Sequence, residues 1–253
     1  MAGVRQGGVI SPALFSVYLD GLITKLAGDK LGICYGNQYL GRFLYADDII
    51  LLSLTLKTLQ NMLDVCVIML RDLDLLLNVS KSSFSRVGPR CNNPIIPPSI
   101  NNGPMNSVNE FKYLGVSVIT GKSFQRCIKP ITVKFFRSFY AVYSKVKGVG
   151  SDLILINLLK SKCLPILQYA CDVFPPCKSD LRHLDRIIFR VLAKIFHTYD
   201  SQIISCIKEV FCIPDFSSYS MHMCHRFLHK FAQKLFTFKD VIILFNKHLL
   251  RFR

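Results

Sequence analysis

The run Leu44-Tyr45-Ala46-Asp47-Asp48-Ile49-Ile50-Leu51-Leu52 places two adjacent carboxylates between two apolar, β-prone segments. Gly41–Tyr45 reads as one strand and Ile49–Ser53 as the next, so the chain doubles back at the aspartates. Burying two carboxylates beside apolar strands is costly without a cation or a network of donors. A turn with only a structural role favours Asn-Gly or Asp-Gly, which accept positive φ at little cost. Asp-Asp at this bend instead offers hard oxygen ligands of the kind that hold a divalent metal. Taken in isolation, the pair also fits a solvated turn.

Three more stretches stand around it. Upstream is Gly3-Val4-Arg5-Gln6-Gly7-Gly8-Val9-Ile10-Ser11-Pro12-Ala13-Leu14-Phe15. The adjacent Gly7 and Gly8 let backbone approach a ligand closely just before a helix. Downstream come Asn78-Val79-Ser80-Lys81 and then Phe111-Lys112-Tyr113-Leu114-Gly115. Each alone has a plain reading: a helix-entry loop, a surface lysine, and a strand with a glycine bulge.

The balance of 32 Lys and Arg against 16 Asp and Glu gives a net charge of +16. Such an excess points to a polyanion, most simply nucleic acid. Mean hydropathy is +0.33, yet no apolar run reaches membrane-spanning length without a charge or proline, which argues against a membrane partner. The N-terminus lacks the apolar core of a signal peptide, so the expected location is intracellular, in nucleus or cytoplasm. The ten cysteines include no Cys-x-x-Cys pair and read as reduced, mostly buried thiols. Cys206, Cys212, His222, Cys224 and His225 cluster toward the C-terminus, at a spacing that fits no common zinc module.

Periodicity sets the expected elements. Ser11-Pro12 suits the start of a helix, with Ser11 as N-cap, and the apolar spacing carries it to Gly28-Asp29. A second helix is predicted over about 57–77, with Leu59, Met62, Leu63, Cys66, Val67, Leu70, Leu73 and Leu77 as its buried stripe. Ile95–Ile100 and Met105–Val108 read as a hairpin around Asn101-Asn102-Gly103. Phe111–Ile119 reads as a strand pair broken at Gly115. From Phe124 the pattern is helical: one helix through Phe135 and Phe139, one over Leu153–Gln168 interrupted near Pro165, and one bearing Leu181, Leu184, Ile188, Val191, Leu192 and Ile195. Two more follow, near 202–210 and 217–236. On the Leu181 helix, Arg182, Arg186, Arg190 and Lys194 recur every four residues and form one cationic ridge. Lys129, Lys134 and Arg137 extend that charge on the helix through Phe135. A phosphate backbone is the counter-charge such a ridge suits; the plain reading is a solvated basic face.

In this order, the four blocks resemble reverse transcriptases, most closely those of non-LTR (LINE-type) retrotransposons. The resemblance is specific from Gly3 to about Val118 and weaker beyond. It implies an α+β chain. Residues 1–120 would be a partial polymerase palm, an antiparallel sheet with two helices. Residues 121–253 would be an all-helical thumb with a C-terminal extension. It implies Asp47 and Asp48 as catalytic metal ligands for Mg2+ or Mn2+, with Asp47 touching both ions. It places Arg5, Gln6, Gly7 and Gly8 near the incoming nucleotide and template. Lys81 would approach the triphosphate, as general acid or charge clamp. Phe111, Lys112, Tyr113, Leu114 and Gly115 would hold the primer end. The implied partners are an RNA template, a DNA primer or RNA–DNA hybrid, and deoxynucleoside triphosphates.

The family carries another essential aspartate on a strand upstream of the Gln-Gly block, and no acidic residue here replaces it. The sequence as it stands is therefore expected to be an incomplete polymerase when tested alone. It is also expected to leave Leu44, Ile49 and Leu51 beside an open sheet edge. Two other readings stay open: a non-catalytic nucleic-acid-binding protein derived from a retroelement, and a pseudogene remnant.

Overall fold

The computed structural model describes residues 9–29, 31–35, 38–101, 103–147 and 150–234. Those residues divide into two compact units, one up to Arg86 together with Asn92–Asn109, the other Val87–Cys91 with Glu110 onward.

In the first unit, Pro12 opens α1 (Ser11–Tyr18), but Ser11 is already helical and Ile10 is the capping residue, without a side-chain cap. The predicted single helix is two: Leu19 leaves helical geometry, and α2 (Asp20–Gly28) begins at an acidic residue suited to a helix N-terminus. The Tyr18 hydroxyl donates to the Leu73 carbonyl at 2.8 Å, holding the end of α1 near the end of α3 (Leu56–Asp72). Thr55 caps α3 by accepting from the Thr58 N–H. Its stripe is buried as expected at Met62, Leu63, Cys66 and Leu70. Burial pushes the Cys66 thiol up to about 12 and keeps it protonated.

The helix stops at Asp72 rather than Leu77. Asp74 takes a left-handed φ of 56°, the Leu75 N–H reaches the Leu70 carbonyl at 2.8 Å and the Asp74 N–H reaches Arg71. That pattern is a Schellman cap with aspartate in the usual glycine position, which is why composition did not reveal it.

Short strands β1 (Cys34–Tyr35) and β2 (Gln38–Tyr39) form one hairpin, and β3 (Arg42–Tyr45) with β4 (Asp48–Leu51) forms the next. Gly32, at φ 107°, permits their close approach; a Cβ there would lie 2.7 Å from the Leu52 oxygen. β5 (Ser83–Phe84) pairs in parallel with β8 (Asn106–Ser107), while β6 (Ser99–Ile100) pairs with β7 (Gly103–Pro104). The hairpin predicted over 95–108 is thus shorter, closing through Asn101 at φ 49°, and its second arm turns away to pair with β5. Asn102 lies outside the described residues. The Gln60 amide brackets Ser99, donating to its carbonyl at 2.9 Å and accepting from its N–H at 2.8 Å.

The mixed helix-and-strand class holds. In place of one antiparallel sheet with two helices, the described part of this unit carries three helices and four separate strand pairs, one of them parallel. Each pair is only two to four residues long because Pro, Gly and Asn interrupt the chain.

The second unit begins with β9 (Glu110–Tyr113), β10 (Val116–Ile119) and β11 (Gln125–Arg126) in one antiparallel sheet. Helices then follow: α4 (Lys129–Val146), α5 (Asp152–Leu158), a π-helical turn (Leu159–Cys163), α6 (Leu164–Gln168), α7 (Lys178–Phe196), α8 (Ser201–Val210) and α9 (Phe216–Lys234). So, among the described residues after 120, β11 is the only strand and the rest of the regular structure is helical. The break near Pro165 falls upstream of it: proline cannot donate to, and its ring crowds, the carbonyl four residues back, and the preceding turn widens. Phe135 and Phe139, stacked at 6.4 Å, meet Leu159, Leu167, Leu184, Ile188 and Leu192 in the core.

α7 also ends in a Schellman cap, with His197 at φ 52° and the Thr198 N–H on the Ala193 carbonyl. A left-handed non-glycine residue costs about 1–2 kcal/mol. His197→Gly is therefore expected to stabilise the protein by about 0.5–1 kcal/mol, after glycine's own entropic cost. A thermal midpoint that stays put or falls in that variant would count against strain at this cap.

Candidate active site and nucleic-acid surface

The register of the β3–β4 hairpin is Tyr45↔Asp48, Leu44↔Ile49, Phe43↔Ile50 and Arg42↔Leu51. Asp47 alone sits in the two-residue turn, after Ala46, and Asp48 is the first residue of β4. Leu44, Ile49 and Leu51 are half-buried against Leu19, Leu22, Leu26 and Met62. Alternation thus turns these three toward the core, while β3–β4 remains a two-stranded sheet with no third strand beside it among the described residues. Tyr45 and Phe43, on the opposite face, are the exposed apolar groups of the hairpin. Asp48 shares their face, and both aspartates are exposed.

Ala46 has φ 50°. A residue with a Cβ in the left-handed region costs energy and tends to mark functional turns. This strain had no signature in the sequence, since alanine is not a turn residue.

Two exposed carboxylates, one at the tip and one at the strand start, suit a hard divalent cation. Among the described residues no group of three or more His, Cys, Asp or Glu side chains is placed to share a metal. The donor set at the hairpin is therefore two carboxylates, chemically right for Mg2+ or Mn2+. The same holds for the cysteines and histidines near the C-terminus, which are not gathered into one set. All ten thiols are free, and fewer are buried than the sequence predicts: Cys66, Cys127, Cys163 and Cys171 are, whereas Cys34, Cys177, Cys206 and Cys212 are exposed.

The Asn78-x-x-Lys81 block is a turn organised by its asparagine. Asn78 Oδ1 accepts from the Lys81 N–H at 3.1 Å and from Ser80 Oγ at 2.7 Å, while its carbonyl accepts from Ser82. This side-chain turn presents an exposed Lys81. Lys81 belongs to the same unit as Asp47 and Asp48, with no hydrogen bond or ion pair to either among the described residues. Arg5, Gln6, Gly7 and Gly8 lie outside the described residues.

Phe111, Lys112, Tyr113, Leu114 and Gly115 form one arm and the turn of the β9–β10 hairpin, in the second unit. Leu114 and Gly115 have φ of 45° and 81°, the pair of positive values that a tight two-residue hairpin requires. The Tyr169 hydroxyl donates to the Leu114 carbonyl at 2.7 Å and packs over Gly115. Tyr169 is held in turn by Arg126, which is 6% exposed and has no carboxylate partner among the described residues. Its guanidinium donates to the Tyr169 and Phe174 carbonyls and to Cys171 Sγ. Neither Arg126 nor Tyr169 carries a signal in the sequence; their partners are 43–55 residues away.

On α7 the apolar stripe is buried and Arg182, Arg186, Arg190 and Lys194 are exposed, as the spacing predicts. The two ends of the ridge are already engaged. Lys194 Nζ lies 4.9 Å from the Tyr140 ring and 5.3 Å from the Tyr143 ring, and Arg182 Nε donates to the Lys178 carbonyl. Arg186 and Arg190 have no hydrogen bond or ion pair among the described residues. Lys129, Lys134 and Arg137 are exposed on α4. Two ion pairs are seen among the described residues, Lys25–Asp29 and Lys208–Asp215, and neither involves the α7 ridge.

Comparison with known proteins bears on the same hairpin. Residues 1–118 match the family model described as reverse transcriptase (RNA-dependent DNA polymerase). The chain is 27% identical over 203 residues to the retrovirus-related Pol polyprotein from type-1 retrotransposable element R2 of Popillia japonica, covering 77% of this chain and 32% of that protein. The polyprotein of the same name from Nasonia vitripennis is 38% identical over 58 residues, covering 23% of this chain and 6% of the relative. The chain thus spans about a third of the length of the first of these relatives. The Tyr-Ala-Asp-Asp hairpin lies inside the matched region, and the two comparisons together support a reverse transcriptase domain of the non-LTR retrotransposon kind over residues 1–118.

Proposed function

We propose that this chain is the part of an R2-like reverse transcriptase that holds the metal-binding hairpin and the duplex-gripping helices. In this reading it takes part in RNA-directed DNA synthesis. The palm portion would run to about residue 120 and the helical thumb would follow. The observation that carries the reading is the Asp47-Asp48 pair at a strained two-residue turn, within the stretch that matches the family model.

Asp47 and Asp48 would hold Mg2+ or Mn2+. A divalent ion held there would supply positive charge to offset the charge that develops in nucleotidyl transfer. The residues supply position and charge. The core-facing side chains of the hairpin fix the aspartates, and the strain at Ala46 sets where Asp47 points. Lys81, presented by the Asn78 turn, would offer an ammonium to the triphosphate or a proton to departing pyrophosphate. Arg5 and Gln6 would meet the nucleotide and template, and the Phe111–Gly115 hairpin the primer end. Template RNA, DNA primer and deoxynucleoside triphosphates are the substrates this assigns, with nucleus or cytoplasm as the site of action.

Primer extension on an RNA template tests this, with residues 1–253 alone and with a segment carrying the upstream aspartate added. Extension by the longer protein that disappears in Asp47→Asn supports the reading. Hybrid binding without extension in either form would favour a non-catalytic binding role, which the +16 charge also supports.

For the thumb, Arg186→Gln with Arg190→Gln is expected to weaken binding of an RNA–DNA hybrid about equally for all sequences, since phosphate contacts carry little sequence information. The salt slope should fall by about 1.8 for two contacts, using the B-form value. Unchanged affinity and slope, with the circular dichroism spectrum intact, would remove α7 from the binding surface.

A further inference from the structure

α9, Phe216–Lys234, contains no acidic residue. Its apolar residues Met223, Phe227, Leu228 and Phe231 are half-buried, and the helix packs on α7. Opposite them, His222, His225, Arg226, His229 and Lys230 are all exposed. Their spacing of three and four residues puts them on one face of about 140°. Together they line an open hollow of about 370 Å³. None of the five has an ion pair among the described residues.

The carboxylates near this helix are committed elsewhere. Asp185 of α7 accepts from the Phe216 N–H at 2.8 Å, at the start of α9, and burial raises its pKa. Asp215 pairs with Lys208. Asp172 acts on Tyr219 and Cys224, where it favours the protonated forms. Among the described residues, the face thus carries two fixed cations and three imidazoles, none of them in an ion pair.

We infer that this face of α9 is a second phosphate-binding surface, separate from the α7 ridge, that takes a single-stranded nucleic-acid backbone and grips it more tightly as pH falls. Nucleic acid fits better than a lipid surface, because the five residues of the face are all polar and Phe227, Leu228 and Phe231 are half-buried on the other side, which leaves Met221 at the edge as a single exposed apolar side chain. Imidazole is the side chain whose charge ordinarily changes between pH 5 and 8. Added protons add phosphate partners, so both affinity and salt dependence rise on acidification. The inference rests on α9 alone and stands whether or not the chain polymerises DNA.

The test is fluorescence anisotropy of a labelled oligouridylate with the full chain, over a salt series at about pH 6 and about pH 8. Each phosphate contact on a single strand contributes about 0.7 to the salt slope. The wild type should therefore be steeper by about 2 at the lower pH, for three imidazoles. His222→Gln, His225→Gln and His229→Gln together should abolish that difference. Arg226→Gln with Lys230→Gln should lower the slope by about 1.4 at both pH values. All five positions are exposed, and an unchanged circular dichroism melt confirms that the variants are folded. Repeating the series in the Arg186→Gln, Arg190→Gln background separates this face from the α7 ridge, and the α9 effects should persist there. Identical slopes in wild type and α9 variants would overturn the inference. So would α9 variants that lose binding to anionic phospholipid vesicles while keeping full oligouridylate affinity.

Discussion

Asp47→Asn is expected to lower RNA-templated primer extension by about 10³-fold, or about 4 kcal/mol of transition-state stabilisation. The comparison is made in the protein with the upstream segment added. The substitution keeps shape and removes charge, and Asp47 is exposed at a turn tip, so the fold should not change. Hybrid affinity should stay within about twofold, because the proposed reading assigns the duplex contacts to α7. The expected signature is therefore a loss of turnover with binding retained. Ala46→Gly provides the opposite control: it relieves the strained φ and should raise the thermal midpoint slightly. Full extension by Asp47→Asn would remove the hairpin from the chemistry.

Arg126→Ala is expected to destabilise the second unit by about 3–5 kcal/mol. Arg126 is a buried cation whose partners are main-chain carbonyls and a thiol. Deleting it orphans those carbonyls and leaves a cavity, and each of these carries a penalty. Arg126→Met fills most of the volume and should cost about 2 kcal/mol, the share due to unmade hydrogen bonds. The effect should spread to the β9–β10 turn, because the segment that Arg126 pins carries the Tyr169 hydroxyl bonded to Leu114. Urea unfolding read by circular dichroism measures both variants. A loss below about 1 kcal/mol for Arg126→Ala would show that water replaces the guanidinium without penalty.

These two residues mark the limits of what the chain declares in its sequence. Asp47 was legible because two carboxylates between β-prone runs have few structural uses, and the pairing register is fixed by alternation. The α7 ridge and its buried stripe were legible for the same reason, a period that repeats over nineteen residues. Arg126 was illegible: a single arginine in a two-residue strand is bland until distant carbonyls close over it. Helix ends were the other blind spot. Asp74 and His197 terminate α3 and α7 in the left-handed conformation, where composition leads one to look for glycine. Lys194 was legible as a cation but not as one already lying over Tyr140 and Tyr143. Asn78 was legible as part of a motif, although its own work, folding the turn under Lys81, emerges only from the hydrogen bonds.

The β3–β4 hairpin has a two-residue connection and four-residue arms, so it has no slack. Inserting or deleting one residue anywhere from Arg42 to Leu51 would invert the alternation of one arm and turn Leu44, or Ile49 and Leu51, toward solvent. Any lineage that keeps this hydrophobic core must therefore keep the length of the segment, whatever the protein does. The spacing of Tyr45, Asp47 and Asp48 is thereby inherited with the packing. In a copy drifting free of selection for catalysis, the aspartates would be lost by substitution long before an insertion or deletion moved them.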